Sequence, residues 1–185
     1  QLDIPMMVMD NTDAHQTAFT ISIDYAPETT TGISAADRAR TIRAAVDPVS
    51  IPSDFSRPGH VFPLRYHDGG VLVRPGHTEA SVDLARLSGL YPAGVLCELV
   101  NDDGSMARGE SLEQFADSHG LAMISIDDLV AGINTALEAS GLKVKTADGE
   151  DLVGKIAATR DENRIVIYKI SEPQREQVQV STSQL

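Results

Sequence analysis

The tetrapeptide Arg-Pro-Gly-His occurs twice, at Arg57-Pro58-Gly59-His60 and at Arg74-Pro75-Gly76-His77, and no other feature restricts the backbone of this chain as much. Proline fixes φ and lacks an N–H, while glycine takes positive φ or lets another group approach, so each copy predicts a rigid corner. Between the copies, Asp68-Gly69 separates the apolar runs Val61 to Tyr66 and Val71 to Val73. That spacing predicts a hairpin with His60 and His77 as register partners. Pro58, Pro63 and Pro75 interrupt the ladder, so the predicted pairing is approximate.

The second copy is chemically the richer one, since Arg74 through Ala80 combine a guanidinium, a turn, an imidazole, the Thr78 hydroxyl and the Glu79 carboxylate. A helix is expected from Thr78 to Leu87, and the free N–H groups of its first turn would face the corner. With Arg74 and Thr78 they make an anion site that leaves His77 beside a bound phosphate. The same residues also read as a surface turn in which Thr78 is an N-cap and Arg74 is solvated. Both readings stay open on the motif alone.

At 185 residues, 42% of them apolar, the chain has the material for one ordinary domain with a core and an appendage. A net charge of −12 argues against nucleic acid or an anionic membrane surface as the main partner, because both require a basic face. No apolar run approaches the roughly 20 residues of a membrane span. The first residues, Gln1 to Val8, lack the basic start of a signal peptide. Cys97 is the sole cysteine, which fits a reducing, cytoplasmic setting. Inside the apolar run Gly94 to Val100 it reads as a small buried residue rather than a nucleophile.

Along the chain, Thr17 to Asp24 alternates apolar and polar residues and reads as a half-buried strand. Ser34, with Asp37 three residues on, predicts a capped helix running to Val46 before Pro48. Capping explains the hydroxyl-rich Thr29 to Thr31 less well, and these residues could face a polyol. Ala93 to Val100 reads as a buried strand containing Glu98. A carboxylate in a core strand is costly unless paired, metal-bound or protonated, so Glu98 is either a functional group or a strand-end residue facing water. A helix from Glu110 to Ser118 ending at His119-Gly120, a strand from Leu121 to Ile126 and a helix from Leu129 to Ser140 capped by Asp127-Asp128 follow. Further strands are expected at Lys143 to Lys145 and Arg164 to Ile170, and Ser171 to Leu185 reads as a polar disordered tail. Strands alternating with helices indicate a layered domain whose helices cover a sheet.

Several long blocks in fixed order are more specific than any of these motifs. Leu2 to Met7, Thr30 to Arg38, Arg57 to Leu64, Gly69 to Leu72, Gly76 to Ala80, Pro92 to Leu99 and Asn101 to Arg108 together resemble 3,4-dihydroxy-2-butanone 4-phosphate synthase. The resemblance spans about Leu2 to Ala136. It implies an α+β fold, a three-layer α/β/α arrangement with a mixed twisted sheet covered by helices, and a homodimer with sites near the subunit interface. The implied reaction is a step of riboflavin biosynthesis, the conversion of D-ribulose 5-phosphate to L-3,4-dihydroxy-2-butanone 4-phosphate and formate by a lyase using Mg2+ or Mn2+. Carried over by position, His60 and Glu98 are catalytic. Arg74, Pro75, Gly76, His77, Thr78, Glu98 and Thr31 bind substrate, and His77 also binds the metal.

The family pattern includes an acidic loop upstream of the Leu2 block, which supplies a further metal-ligating carboxylate. Relative to that pattern residues 1–140 form an N-terminally truncated synthase-like domain, followed by a short β-containing extension at 141–170 and the tail at 171–185. The expectation is weak magnesium binding and low activity in this polypeptide alone. The alternative is a degenerate, non-catalytic sugar-phosphate-binding homologue or fragment.

Overall fold

In the computed structural model, which describes residues 2–140 and 164–167, the alternating stretch from Thr17 becomes a strand only at its end. Isolated bridges Met6 to Thr20 and Phe19 to Leu64 come first, then strand β1 (Ile23–Tyr25). The chain divides into two units, Gln1–Tyr66 and His67–Leu185, each taken by itself below.

In the first unit, β1 pairs antiparallel with β2 (Phe55–Val61) across a register jump, Ile23 standing opposite Val61 and Asp24 opposite Ser56. Arg57 to His60 therefore have no partner residues in β1. Backbone amides cut off from a ladder still need acceptors, and side chains of the neighbouring strand provide them. The Gly59 N–H donates to Ser22 Oγ (3.1 Å) and the His60 N–H to Asp24 Oδ1 (2.9 Å).

Helix α1 (Ala35–Ala45) starts where the capping signal predicts, with Ser34 extended and its hydroxyl accepting from the Asp37 N–H at 3.0 Å. Asp37 does not reach back as a capping-box acid would. Its carboxylate takes the preceding loop instead, accepting from the Thr30 hydroxyl at 2.7 Å and the Gly32 N–H at 3.3 Å. Thr41, fully buried, accepts from the Tyr25 N–H and ties α1 to β1.

The predicted hairpin around Asp68-Gly69 does not form. Gly70–Leu72 is a 3-10 turn, and its polar groups are committed elsewhere: the Val71 N–H donates to Asp83 (2.8 Å), while the Gly70 carbonyl accepts from Val73 and Arg74. A ladder needs those groups free on both flanks. The second unit is built on helices α2 (His77–Leu87), α3 (Glu110–His119) and α4 (Ile126–Ser140), with strands β3 (Ala122–Ser125) and β4 (Arg164–Ile167) paired antiparallel, Ala122 opposite Ile167. Val71, Leu72, Ala80, Ile126, Leu129, Val130 and Leu137 form its core.

Helix α4 begins three residues before the expected Leu129. Ser125 and Asp128 close a reciprocal box, the Ser125 hydroxyl accepting from the Asp128 N–H (3.0 Å) and the Asp128 carboxylate accepting from the Ser125 N–H (3.3 Å). Asp128 thus sits inside the helix rather than ahead of it. α3 ends on Gly120 in the left-handed conformation, as predicted.

The buried strand expected at Ala93 to Val100 is not there. Val95 is 63% exposed, Cys97 and Glu98 are exposed, and the stretch carries only a bridge from Val100 to Met106 among the described residues. An apolar run becomes a strand when a neighbour completes its hydrogen bonds, and the described strands of this unit, β3 and β4, pair with each other. Helices with antiparallel pairs give the expected α+β class. The expected strand at Lys143 to Lys145, most of the 141–170 extension and the tail from Ser171 lie outside the described residues.

Candidate active site

The two Arg-Pro-Gly-His copies, identical in sequence, do different work. Arg57 spends its guanidinium on backbone, donating to the carbonyls of Leu2 (2.6 Å) and Asp3 (2.9 Å), and so holds the N-terminal segment of its own unit. Arg74 is ion-paired with Glu79 at 2.6 Å. The residues that follow explain the split. Val61 and Phe62 continue an extended chain, whereas Thr78, Glu79 and Ala80 enter a helix.

In the first copy, His60 is presented at the surface, with its imidazole 41% exposed and Nδ1 2.6 Å from Asp24 Oδ2. Thr31 is exposed beside Gly32, whose φ of +85° favours glycine. A Cβ at Gly32 would collide with the Asp24 carboxylate, so the threonine loop packs directly behind the partner of His60. Asp37 holds this loop. The hydrogen bond from the Thr30 hydroxyl, assisted by the backbone N–H groups of Thr30 and Gly32, keeps its carboxyl below the usual aspartate range against the cost of burial.

In the second unit, α2 begins at His77 with Gly76 as N-cap, so Thr78 lies within the first turn and the N-cap reading of Thr78 is excluded. Gly76 has φ −124°, not the positive value a glycine corner suggests. Its lack of a side chain serves close approach, since a Cβ there would meet Arg74 Nη1 and Glu79 Oε2 at 2.6 and 2.7 Å. Glu79 is 1% exposed; beyond its pairing with Arg74 it accepts from the His67 N–H at 3.1 Å, locking the turn that carries Pro75. The first-turn N–H groups of α2 have no intrahelical acceptors and carry the positive end of the helix dipole. Next to them, His77 Nε2 is buried and has no hydrogen-bond partner among the described residues. A buried imidazole nitrogen in that condition is poised for a ligand, a cation if it offers its lone pair.

Glu98, expected in a core strand, is exposed on the irregular stretch before Val100. Arg74, Pro75, Gly76, His77, Thr78 and Glu98 belong to the second unit, and His60 and Thr31 to the first. Sequence reasoning left Asp24 and the positioning role of Glu79 unmarked. The signal for Asp24 was present: Ser22 and Asp24 share one face of an alternating strand, and both turn their oxygens to β2.

Residues 1–132 match the family model for 3,4-dihydroxy-2-butanone 4-phosphate synthase. A protein of that name from Agrobacterium fabrum is 62% identical over 130 residues, covering 70% of this chain and 61% of that one. The structure of the synthase from Candida albicans has 50% identity and a TM-score of 0.66, over 72% of this chain and 65% of that one. A synthase solved in complex with two magnesium ions has 43% identity and a TM-score of 0.65, over 72% of this chain and 68% of that one. The chain thus spans about three-fifths of the length of the Agrobacterium fabrum relative. With the family model, the identity to its relatives and the fold in agreement, this chain belongs to the 3,4-dihydroxy-2-butanone 4-phosphate synthase family.

Proposed function

We propose that the chain is the substrate-binding and proton-transferring body of a riboflavin-pathway lyase that converts D-ribulose 5-phosphate to L-3,4-dihydroxy-2-butanone 4-phosphate and formate. Besides family membership, the observation that supports this most is the buried, unpartnered Nε2 of His77 in the first turn of α2, in the same short segment as Arg74. Arg74, Thr78 and the first-turn N–H groups would hold the phosphate, Pro75 and Gly76 fixing their geometry and Thr31 meeting the sugar hydroxyls. His60 would exchange protons with the carbon skeleton, and Glu98 would provide the second proton-transfer group. The reaction redistributes the atoms of one five-carbon phosphate between two products, so no water is consumed.

His77 would be a ligand for the divalent cation, Mg2+ or Mn2+. That cation supplies Lewis-acid stabilisation of enediolate oxygens. No group of three or more histidine, cysteine or acidic side chains among the described residues could hold a metal, so its other ligands would be substrate oxygens and carboxylates outside them. The proposal includes a homodimer in the cytoplasm, a second copy covering exposed Leu90, Tyr91 and Val95. No described helix is long and apolar enough to cross a membrane.

A second reading, a sugar-phosphate binder without turnover, is favoured by the exposure of Glu98. Formate release from ribulose 5-phosphate and magnesium separates the two, measured for this chain and for a protein spanning the full length of its relatives. Formate from the longer protein supports the lyase. Sugar-phosphate binding that ignores EDTA and survives His77→Ala, with no formate from either protein, supports the binder.

A further inference from the structure

His60 and Asp24 meet in a geometry that a merely structural contact does not require. Asp24 Oδ2 lies 2.6 Å from His60 Nδ1, and Asp24 Oδ1 accepts from the backbone N–H of the same histidine at 2.9 Å. One carboxylate therefore grips both the ring and the peptide of a single residue. The carboxylate is the buried end of the pair, 12% exposed against 41% for the imidazole. Behind it the backbone at Gly32 leaves no room for retreat, and Asp37 anchors that loop from the other side.

We infer that Asp24 is a positioning residue that sets the tautomer of His60, keeping the ring proton on Nδ1 and leaving the Nε2 lone pair turned outward for substrate. A carboxylate offers only acceptors, so the nitrogen facing it must be the donor. With the proton held there, the outward nitrogen has the lone pair a general base needs. The catalytic consequence rests on the proposed proton-transfer role of His60; the tautomer does not.

The test is Asp24→Asn in the full chain. The amide oxygen still accepts from the His60 N–H, but its NH2 group puts a donor where Nδ1 needs an acceptor, so the ring proton should move to Nε2. Long-range proton–nitrogen correlation spectra of histidine-labelled protein in mildly alkaline buffer should show Nδ1–H at His60 in the wild type and Nε2–H in the variant. In the full-length enzyme kcat should fall about 100-fold to 10,000-fold with KM nearly unchanged, as expected when a base is held in the wrong tautomer. A wild-type ring carrying its proton on Nε2 overturns the inference without any variant having to fold. So does an Asn variant that keeps the wild-type tautomer, or one that switches it and loses no activity. If wild-type enzyme makes no formate, the lyase reading fails, and the spectra still decide the tautomer.

Discussion

At the scale of single residues, the loop before α1 is governed by Asp37 rather than by the threonines that draw the eye. Three donors converge on its carboxylate from Thr30 and Gly32, with the Thr30 hydroxyl the strongest influence, and Arg40 adds an ion pair at 3.0 Å. All of these favour the ionised form, so its folded pKa lies below the ordinary aspartate value of 3.8. This stabilisation is therefore fully present above about pH 3.8 and is lost as pH falls through the lower, folded value. Asp37→Asn should therefore lower the urea midpoint at neutral pH, and the gap from wild type should narrow in titrations carried below that value. A gap of constant size would show that charge on Asp37 contributes nothing.

At the scale of elements, α4 draws its position from two adjacent residues with separate effects. Ser125 closes the capping box, and removing it with Ser125→Ala should cost about 1 kcal/mol. Ile126, fully buried in the core of the second unit, should cost about 2–5 kcal/mol on Ile126→Ala through lost burial and the cavity left behind. Chemical denaturation followed by helix signal measures both, and equal losses would mean that the first turn frays without affecting the core. Helix α2 works the other way, turning carboxylates inward to bind the chain before it. Glu79 takes the His67 N–H and Asp83 the Val71 N–H, so residues 67–71, which lead into Arg74, are fastened at both ends.

At the scale of the whole molecule, the question is how far this length of chain suffices for chemistry. His77 offers one imidazole nitrogen, and magnesium prefers a shell of oxygens, so calorimetric titration should show weak binding. His77→Ala should weaken it by about tenfold or more. Binding unaffected by the substitution would remove His77 from the metal site. A protein of the relatives' full length should bind more tightly if the acidic loop implied by the family pattern supplies the missing carboxylates.

Helix boundaries were largely legible from Ser34, Gly120 and the punctuation around α1 and α3, because caps are local and act within one turn. The family blocks were also readable from order and spacing alone. The carboxylate behind His60, the different duties of Arg57 and Arg74, and the exposure of Glu98 were not. Each depends on which distant backbone arrives beside a side chain: Leu2 at Arg57, Ser22 and Asp24 at Gly59 and His60, and no strand at all beside residues 93–98 among those described. The sequence by itself determined where α1 and α3 begin and end and to which family its blocks belong. Only the tertiary structure decided which polar group satisfies which, since a hydrogen bond between residues far apart in the chain leaves no periodic trace in it.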